Sequence, residues 1–329
     1  MSGTPQGSTA IETLPHRLIA RFASDLAAIW PTGEKLGLAV SGGPDSLALL
    51  LLAKAAVPER VEAATVDHGL RPESASEAAM VAELCAAYRI PHKILTVKVA
   101  RGNVQDKARA ARYAALAKWT QERKLAALAT AHHADDQAET LIMRLNRGSG
   151  VAGLAGVRAR GAIPGSRIPL LRPLLGWRRS ELGEIVEASG LEAAQDPSNE
   201  DPKFDRVRIR EALQDADWLD VAAIGQAAAH LAEAETVMQW SSKREWDEAV
   251  EVGEGEISYS PKAPQAVRIR IVARAIGMLG VEPRLGSVAR LIQRLQKGKD
   301  ATLGGVVARV HQGRWTFRKE PPRKVAGPD

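Results

Sequence analysis

The chain has 329 residues, 45% of them hydrophobic, so it can bury a sizeable core and is expected to form two domains. A net charge of +6 suits an anionic partner without identifying one. The single cysteine, Cys85, excludes disulfides and cysteine-rich metal sites, and no leader or membrane-length apolar run is visible, so we expect a cytoplasmic protein with no membrane partner.

The first predicted elements are an amphipathic helix from Ile11 to Trp30 and a buried parallel strand from Leu36 to Val40. A turn then leads into a second helix, and its residues are Ser41, Gly42, Gly43, Pro44, Asp45 and Ser46. Helix amino ends bind anions, because their amides are unpaired and the helix dipole is positive there. Asp45 would repel a bare phosphate, which suggests an intervening divalent cation.

This turn lacks the lysine of a Walker A loop, and G-x-G-x-x-G does not occur in it. It resembles the S-G-G-x-D-S loop of the PP-loop, or N-type, ATP pyrophosphatases. The alternative is an ordinary strand-to-helix turn in which G-P-D-S only caps the helix.

Strands and helices then alternate along the chain, which predicts an α/β fold with a doubly wound, Rossmann-like parallel sheet. The predicted strands are 61–66, 92–97 and 125–130, and the predicted helices are 73–88, 104–123 and about 134–145. Ligands of such sheets lie beyond the carboxyl ends of the strands, so Ser41, Asp67 and Ala131 should face one crevice.

Two segments could border this crevice. Asp67 and His68 follow the second strand and would hold a nucleoside, although VDHGLR could equally be a plain turn with Gly69 in a left-handed conformation. Arg109 and Arg112 share a helix face, which is either a solvated salt-bridged face or a phosphate contact.

The segment TAHHADDQAET, 130–140, gathers an imidazole and two carboxylates on one helical face through His132, Asp136 and Glu139. Zinc is conceivable for these groups, but H-E-x-x-H is absent. Two carboxylates near a nucleotide also suit a cationic substrate. A capped, solvated helix start is the ordinary alternative, yet capping by Asp135 accounts for only one of these residues.

Beyond Gly150 the pattern changes to Gly-rich and Pro-bounded loops, with a helix at 180–188. Arg206, Arg208 and Arg210 would track RNA phosphates or cap a helix. Helices are predicted at 221–250, 266–279 and 285–296, followed by a hairpin with its turn at 311–313. We therefore expect a disordered start (1–15), an α/β domain (16–215), a smaller, mainly helical domain ending in a β-hairpin (216–318) and a disordered tail (319–329).

Six ordered blocks together resemble the tRNA(Ile)-lysidine synthetases, a family within the PP-loop superfamily. They are SGGPDS at 41–46, VDHGLR at 66–71, GN followed by AR and RY at 102–113, AHHADDQAET at 131–140, RGSGVAGLAG at 147–156 and DPSN at 196–199. The resemblance spans about residues 36–210, and six blocks in order are much more specific than one loop.

The resemblance implies roles for individual residues. ATP binding would involve the 41–46 loop, Asp67, His68, Arg109 and Gly148, with Mg²⁺ on Asp45. Asp136 and Glu139 would hold the lysine substrate, and the catalytic group would be Asp45, Arg112, His133 and Asp136. Arg206, Arg208 and Arg210 would bind tRNA.

The family is an ATP-dependent C–N bond-forming ligase that acts on isoleucine tRNA with a CAU anticodon. ATP adenylates the C2 oxygen of the wobble cytidine, and the ε-amine of L-lysine then displaces AMP to give lysidine. Two other readings stay open, namely another PP-loop enzyme that modifies tRNA or forms amides, and a noncatalytic RNA-binding protein. The oligomeric state is also open, with a homodimer as one option.

Overall fold

The computed structural model describes residues 11, 13–30, 32–69, 73–97, 104–194, 205–214, 216 and 218–320. The chain forms two compact units, Met1–Ala232 and Glu233–Asp329. Residues 1–10, 70–71, 102–103, 196–199 and 321–329 belong to predicted tails or family blocks and lie outside the described residues.

The first unit begins with a mixed α/β region whose order follows the sequence prediction closely. Its strands are β1 (Leu36–Ala39), β2 (Val61–Asp67), β3 (His92–Thr96), β4 (Ala127–Ala129), β5 (Arg160–Ala162) and β6 (Pro169–Leu171). Its helices are α1 (His16–Ile29), α2 (Pro44–Ala56), α3 (Glu73–Ala87), α4 (Val104–Glu122), α5 (Ala134–Asn146), α6 (Val151–Leu154), α7 (Arg179–Ala188) and α8 (Asp205–Gln214), and α9 (Val221–Ala249) follows.

The six strands form one sheet in the order β3-β2-β1-β4-β6-β5. Leu36 of β1 is paired in parallel with Val61 on one side and with Ala127 on the other, and only β5 runs antiparallel. This confirms the predicted doubly wound parallel sheet. The order reverses between β1 and β4, and ligands of such sheets bind at that point.

Helices cover both faces of the sheet, which explains why the central strands are almost uniformly apolar. On one face, α1, α2, α3 and α7 share a core that includes Phe22, Leu50, Val81 and Leu182. On the other face, the core includes Tyr113, Leu116 and Trp119 of α4. Residues 46–53 of α2 are buried without interruption, so this helix is held on all sides and gives the preceding turn a rigid support.

The second unit combines helices with a five-stranded antiparallel sheet in the order β7-β8-β11-β10-β9. Its strands are β7 (Val250–Val252), β8 (Glu256–Tyr259), β9 (Ala301–Leu303), β10 (Val306–His311) and β11 (Arg314–Lys319), and its helices are α10 (Gln265–Met278) and α11 (Leu285–Gln296). Ile271, Ile292 and Phe317 are fully or almost fully buried in its core.

The predicted C-terminal hairpin is confirmed, because β10 and β11 are joined by Gln312 and Gly313, which both have positive φ as a type I′ turn requires. Three details differ from the sequence prediction. Gly304 and Gly305 turn the chain between β9 and β10, and strands β7 and β8 were not foreseen. β11 also includes Lys319, the first residue of the predicted tail.

Within the described ranges of the chain, no helix is both long enough and apolar enough to cross a membrane.

The burial of Cys85 on α3 generates a first prediction. Burial raises the pKa of its thiol from an ordinary value of 9.0 to about 12. At about pH 9 the native thiol should therefore react with a disulfide reagent on the order of 100-fold more slowly than the thiol of the unfolded chain, because the thiolate is the nucleophile. Stopped-flow labelling with and without guanidinium chloride measures this ratio, and equal rates would contradict the packing of α3 on the sheet.

Candidate active site

A cleft of about 600 Å³ opens beyond the carboxyl ends of β1, β2 and β4. Residues from the predicted loop and from the segment after β4 line it together, including Ser41, Asp45, His132 and Asp136. The sheet therefore brings the predicted segments to one crevice, as the parallel topology requires.

The turn between β1 and α2 is stabilised by Ser46. Its hydroxyl oxygen accepts hydrogen bonds from the backbone amides of Ser41 and Gly42, each at 3.1 Å, and donates one to the carbonyl of Gly43 at 2.9 Å. Gly42 has a φ of 91°, which favours glycine. Ser46 thus shapes the turn from inside, while the first-turn amide of Asp45 has no intrahelical acceptor and remains available to a ligand.

His133 connects this turn to helix α5. Its side chain is 4% exposed, and Nε2 lies 3.4 Å from Asp45 Oδ2 and 3.6 Å from Asp136 Oδ2. Nδ1 lies 3.6 Å from Asp135 Oδ2. Burial alone would lower the pKa of His133, but interactions with Asp135, Asp45 and Asp136 raise it to about 9. The imidazolium therefore holds three carboxylates together, and being doubly protonated it cannot accept the amide hydrogen of Asp136.

Asp135 fixes the start of α5 against the start of α7. It accepts hydrogen bonds from the Arg179 amide at 2.7 Å and from the Arg178 guanidinium at 3.1 and 3.3 Å. Burial alone would raise the pKa of Asp135, but His133, the Arg179 amide and Arg178 hold it well below its usual range. Sequence reasoning treated Asp135 as a cap, and its pairing with a helix 43 residues later has no local signal.

Asp136 and Glu139, the predicted lysine-binding pair, are paired with arginines of α8. The Arg206 guanidinium contacts both Asp136 Oδ1 and Glu139 Oε2, the latter at 2.5 Å. Arg210 contacts Glu139 Oε1 at 2.7 Å. The side chain of Glu139 is only 2% exposed, so its charge requires such partners. Arg206 and Arg210, predicted as tRNA contacts, therefore act here as counter-ions of two carboxylates.

Cations carried by α4 also line the cleft. Arg109 and Arg112 line the cleft and flank the ring of Tyr113 at 5.2 and 5.3 Å. Within the described part of the chain, neither forms an ion pair with a carboxylate. Burial lowers the pKa of His132 to about 4, so this imidazole is neutral. The nearby arginines also lower this pKa, whereas the charge of Asp136 raises it. One further arginine, Arg172, follows β6 and was missed because its strand was predicted only as part of a Pro-bounded segment.

Three predicted ligand residues lie elsewhere or have other contacts. The Asp67 carboxylate accepts hydrogen bonds from Ser74 at 2.5 Å and from the Gly69 amide at 2.9 Å, which lower its pKa, while His68 lines the cleft. Gly148 follows the carboxyl end of α5, where its amide bonds to Leu145, and it does not line the cleft. Arg208 points away from Glu139 and pairs with Asp205.

The described residues offer few protein ligands for a metal ion at this site. Among the described residues, no group of three or more histidine, cysteine, aspartate or glutamate side chains could hold a metal ion, so the zinc interpretation has no support. Asp45 Oδ1 is buried and has no hydrogen-bond partner among the described residues. A cation that takes most of its ligands from phosphate and water would satisfy such an oxygen.

Comparison with known proteins places the chain among nucleotide-activating enzymes. A PP-loop domain family matches residues 15–216. Among curated proteins, the tRNA(Ile)-lysidine synthase of Novosphingobium aromaticivorans is 46% identical over 309 residues, covering 93% of this chain and 94% of that protein. The tRNA(Ile)-lysidine synthase of Zymomonas mobilis is 43% identical, covering 90% of this chain and 92% of that protein.

Among solved structures, the U34-tRNA thiolase NcsA from Methanococcus maripaludis with its [4Fe-4S] cluster matches with a TM-score of 0.53. It is 18% identical and covers 66% of this chain and 79% of that one. This similarity shows the shared fold.

The contacts of Asp135 generate a second prediction. We expect Asp135→Asn to lower the free energy of unfolding by about 2 kcal/mol, because hydrogen bonds to a charged group are lost at a junction of two helices. Glu122→Gln, which removes an exposed ion pair with Lys118, should change it by less than about 0.5 kcal/mol. Urea unfolding followed by tryptophan fluorescence measures both, and an unchanged midpoint for Asp135→Asn would contradict the anchoring role.

Proposed function

The chain belongs to the PP-loop family and, within it, to the tRNA(Ile)-lysidine synthases, and we propose that its cleft joins lysine to the wobble cytidine of isoleucine tRNA with a CAU anticodon. The observation that carries this proposal is His133, which lies within 3.6 Å of both Asp45 in the nucleotide loop and Asp136 in the predicted lysine pair. This contact supports a single site for the proposed ATP-binding and lysine-binding groups. The membership of the chain rests on its match to relatives over almost their entire length.

ATP would bind with its phosphates at the amino end of α2, over the turn that Ser46 shapes. Arg109 and Arg112 of α4 line the same cleft and would neutralise charge on the phosphates and on departing pyrophosphate. His68 lines the same cleft and would border the nucleoside, whereas the carboxylate of Asp67 is already committed to the turn with Ser74. Gly148 is not part of this proposal, because it lies at the other end of α5.

Mg²⁺ fits this arrangement through Asp45, since the buried Oδ1 of that carboxylate has no hydrogen-bond partner among the residues that the structure describes. When bound, the ion would supply charge stabilisation between Asp45 and the phosphate oxygens. The protein contributes the position of Asp45, which is set by the start of α2 and by His133.

Lysine would be selected by Asp136 and Glu139. The two carboxylates already share one cation, the Arg206 guanidinium, which supports their fit to a positively charged group. Asp136 lines the cleft and would meet the substrate first. A lysine ammonium that reached Glu139 would have to displace or share Arg206, so lysine binding and the position of α8 would be coupled.

The reaction has two steps. The cytidine C2 oxygen attacks the α-phosphate of ATP and pyrophosphate leaves, which converts a poor leaving group into AMP. The neutral ε-amine of lysine then attacks C2 and expels AMP, and its proton passes to a base in the cleft. Asp136 and His132 both line the cleft and are the candidates for this base. Both nitrogens of His133 face carboxylates, so we assign it the positioning of Asp45 and Asp136.

The remaining parts of the proposal concern the tRNA partner, the cellular location of the protein and its oligomeric state. Residues 216–318 would bind tRNA together with Arg208, and Arg206 and Arg210 would contact tRNA only if α8 moved from its present position. We also propose a cytoplasmic location, because ATP, lysine and tRNA meet there. A homodimer stays open.

The competing reading as a tRNA thiolase has little support. The thiolase with the similar fold carries a [4Fe-4S] cluster, whereas this chain has one cysteine and its thiol is buried. Cys85 alone cannot supply the cysteine ligands that such a cluster takes.

The proposed activity predicts lysine incorporation in one specific combination of substrates. Labelled lysine should enter a transcript of isoleucine tRNA with a CAU anticodon, but not methionine tRNA, only when ATP and Mg²⁺ are present, and EDTA should abolish it. Asp45→Asn should lower the rate on the order of 100-fold or more, and Glu122→Gln should leave it unchanged.

Two outcomes of this assay would contradict the proposal. ATP turnover with another nucleophile would indicate a different PP-loop enzyme, and tRNA binding without turnover would indicate a noncatalytic protein.

The lysine pair generates a further prediction. Glu139→Gln should raise the KM for lysine about tenfold or more while the KM for ATP changes little, because the lost charge belongs to the proposed lysine-binding pair and not to the proposed phosphate site. Glu139→Asp keeps the charge and should be affected less. The thermal midpoint of each variant separates this effect from loss of fold, and a stable Glu139→Gln with an unchanged lysine KM would remove Glu139 from the binding site.

A further inference from the structure

A second concave surface, of about 710 Å³, lies within the first unit between α5, α8 and the segment that leads into α9. We name it the α5–α8 groove. Its apolar lining includes Ile142, Met143, Ile209 and Leu213, and its edge carries Trp218. The Trp218 side chain is 80% exposed, which is unusual for the largest apolar side chain.

The polar part of the groove consists of two arginines arranged around one carboxylate. The Nη2 atom of Arg147 lies 3.4 Å from Asp205 Oδ2, and Arg208 contacts Asp205 Oδ1. Both guanidiniums are more than 60% exposed, so they have donors left for another acceptor, and the triad has a net charge of +1. Asn146 also lines the groove and offers an amide that can pair with a base edge.

The groove is built from the same two helices as the candidate active site. Asp136 and Glu139 of α5 face Arg206 and Arg210 of α8, while Met143 and Asn146, farther along α5, face the groove together with Arg208 and Ile209. Asp136 and Met143 are seven residues apart on one helix, a rise of about 10 Å. The groove therefore lies within reach of nucleotides that neighbour a base held in the cleft.

We propose that the α5–α8 groove binds unpaired nucleotides of the substrate tRNA next to the target cytidine, with a base stacked on Trp218 and backbone phosphate held by Arg147 and Arg208. This rests on the proposed function for the identity of the RNA. An exposed aromatic ring, an amide and arginines are the groups that recognise unstacked bases and their phosphates. A second protein copy or an apolar peptide would leave the two guanidiniums without added acceptors, so the charges favour RNA.

The test is direct binding of a fluorescently labelled anticodon stem-loop RNA to the full chain, without ATP or lysine. Trp218→Ala should weaken binding about tenfold, equal to about 1.4 kcal/mol, and Trp218→Phe should retain most of the affinity because it keeps a stacking surface. Arg147→Gln should reduce the dependence of log Kd on log salt by about one, whereas Arg160→Gln, a matched loss of charge at an exposed site on β5, should not. With full-length tRNA, Trp218→Ala should raise the KM for tRNA and leave those for ATP and lysine unchanged.

The outcomes separate this proposal from the proposed function. If Trp218→Ala binds the stem-loop as tightly as the wild type, or if the wild type does not bind it, the groove is not an RNA site. A change in sedimentation for Trp218→Ala, with unchanged RNA affinity, would assign the groove to self-association and overturn the proposal. Loss of stem-loop affinity in a protein that incorporates no lysine would support the groove while refuting the synthase activity.

Discussion

The site depends on one buried histidine placed among carboxylates. His133 directly precedes α5, and Nε2 of its imidazolium faces Asp45 and Asp136 while Nδ1 faces Asp135. Three carboxylates so close together would repel one another without it. Because Asp45 belongs to α2 and Asp135 is held by α7, this single cation fixes three helix starts around the cleft. Nucleotide activation and amino-acid recognition can then share one site.

Helix α8 also carries charges that compensate a buried group on α5. Glu139 is almost fully buried, and an unpaired carboxylate there would be costly, so Arg206 and Arg210 neutralise it. The arginines of α4 are different, because Arg109 and Arg112 have no carboxylate partner in the described part of the chain. In the proposed function they would face the phosphates of ATP, whereas Asp136 and Glu139, which are paired with Arg206, would hold the lysine ammonium.

A feature could be predicted from the sequence when the residues that determine it are close together in the chain. The turn from Ser41 to Ser46, the parallel strands and a turn at 311–313 were predicted, since each depends on periodicity or on backbone conformations that glycine favours. The structure shortens the last of these turns to Gln312 and Gly313, because His311 is part of β10. Strands β7 and β8 were missed because they are short and depend on tertiary pairing, β8 with β11 and β7 with β8. Gly148 was predicted to bind ATP because it belongs to a family block, but it follows the carboxyl end of α5, whereas the cleft lies at the amino end of that helix.

The sequence by itself determined the fold class, the family and the crevice at the strand ends, because alternation of apolar segments and six ordered blocks are properties of the chain order. Only the tertiary structure decided which charges meet. Arg206 lies 67 residues from Glu139, and Arg178 lies 43 residues from Asp135, so no spacing rule relates them. Those pairings depend on how α7 and α8 pack against α5. The charges must be paired because a charged group removed from water is stable only with an opposite charge beside it.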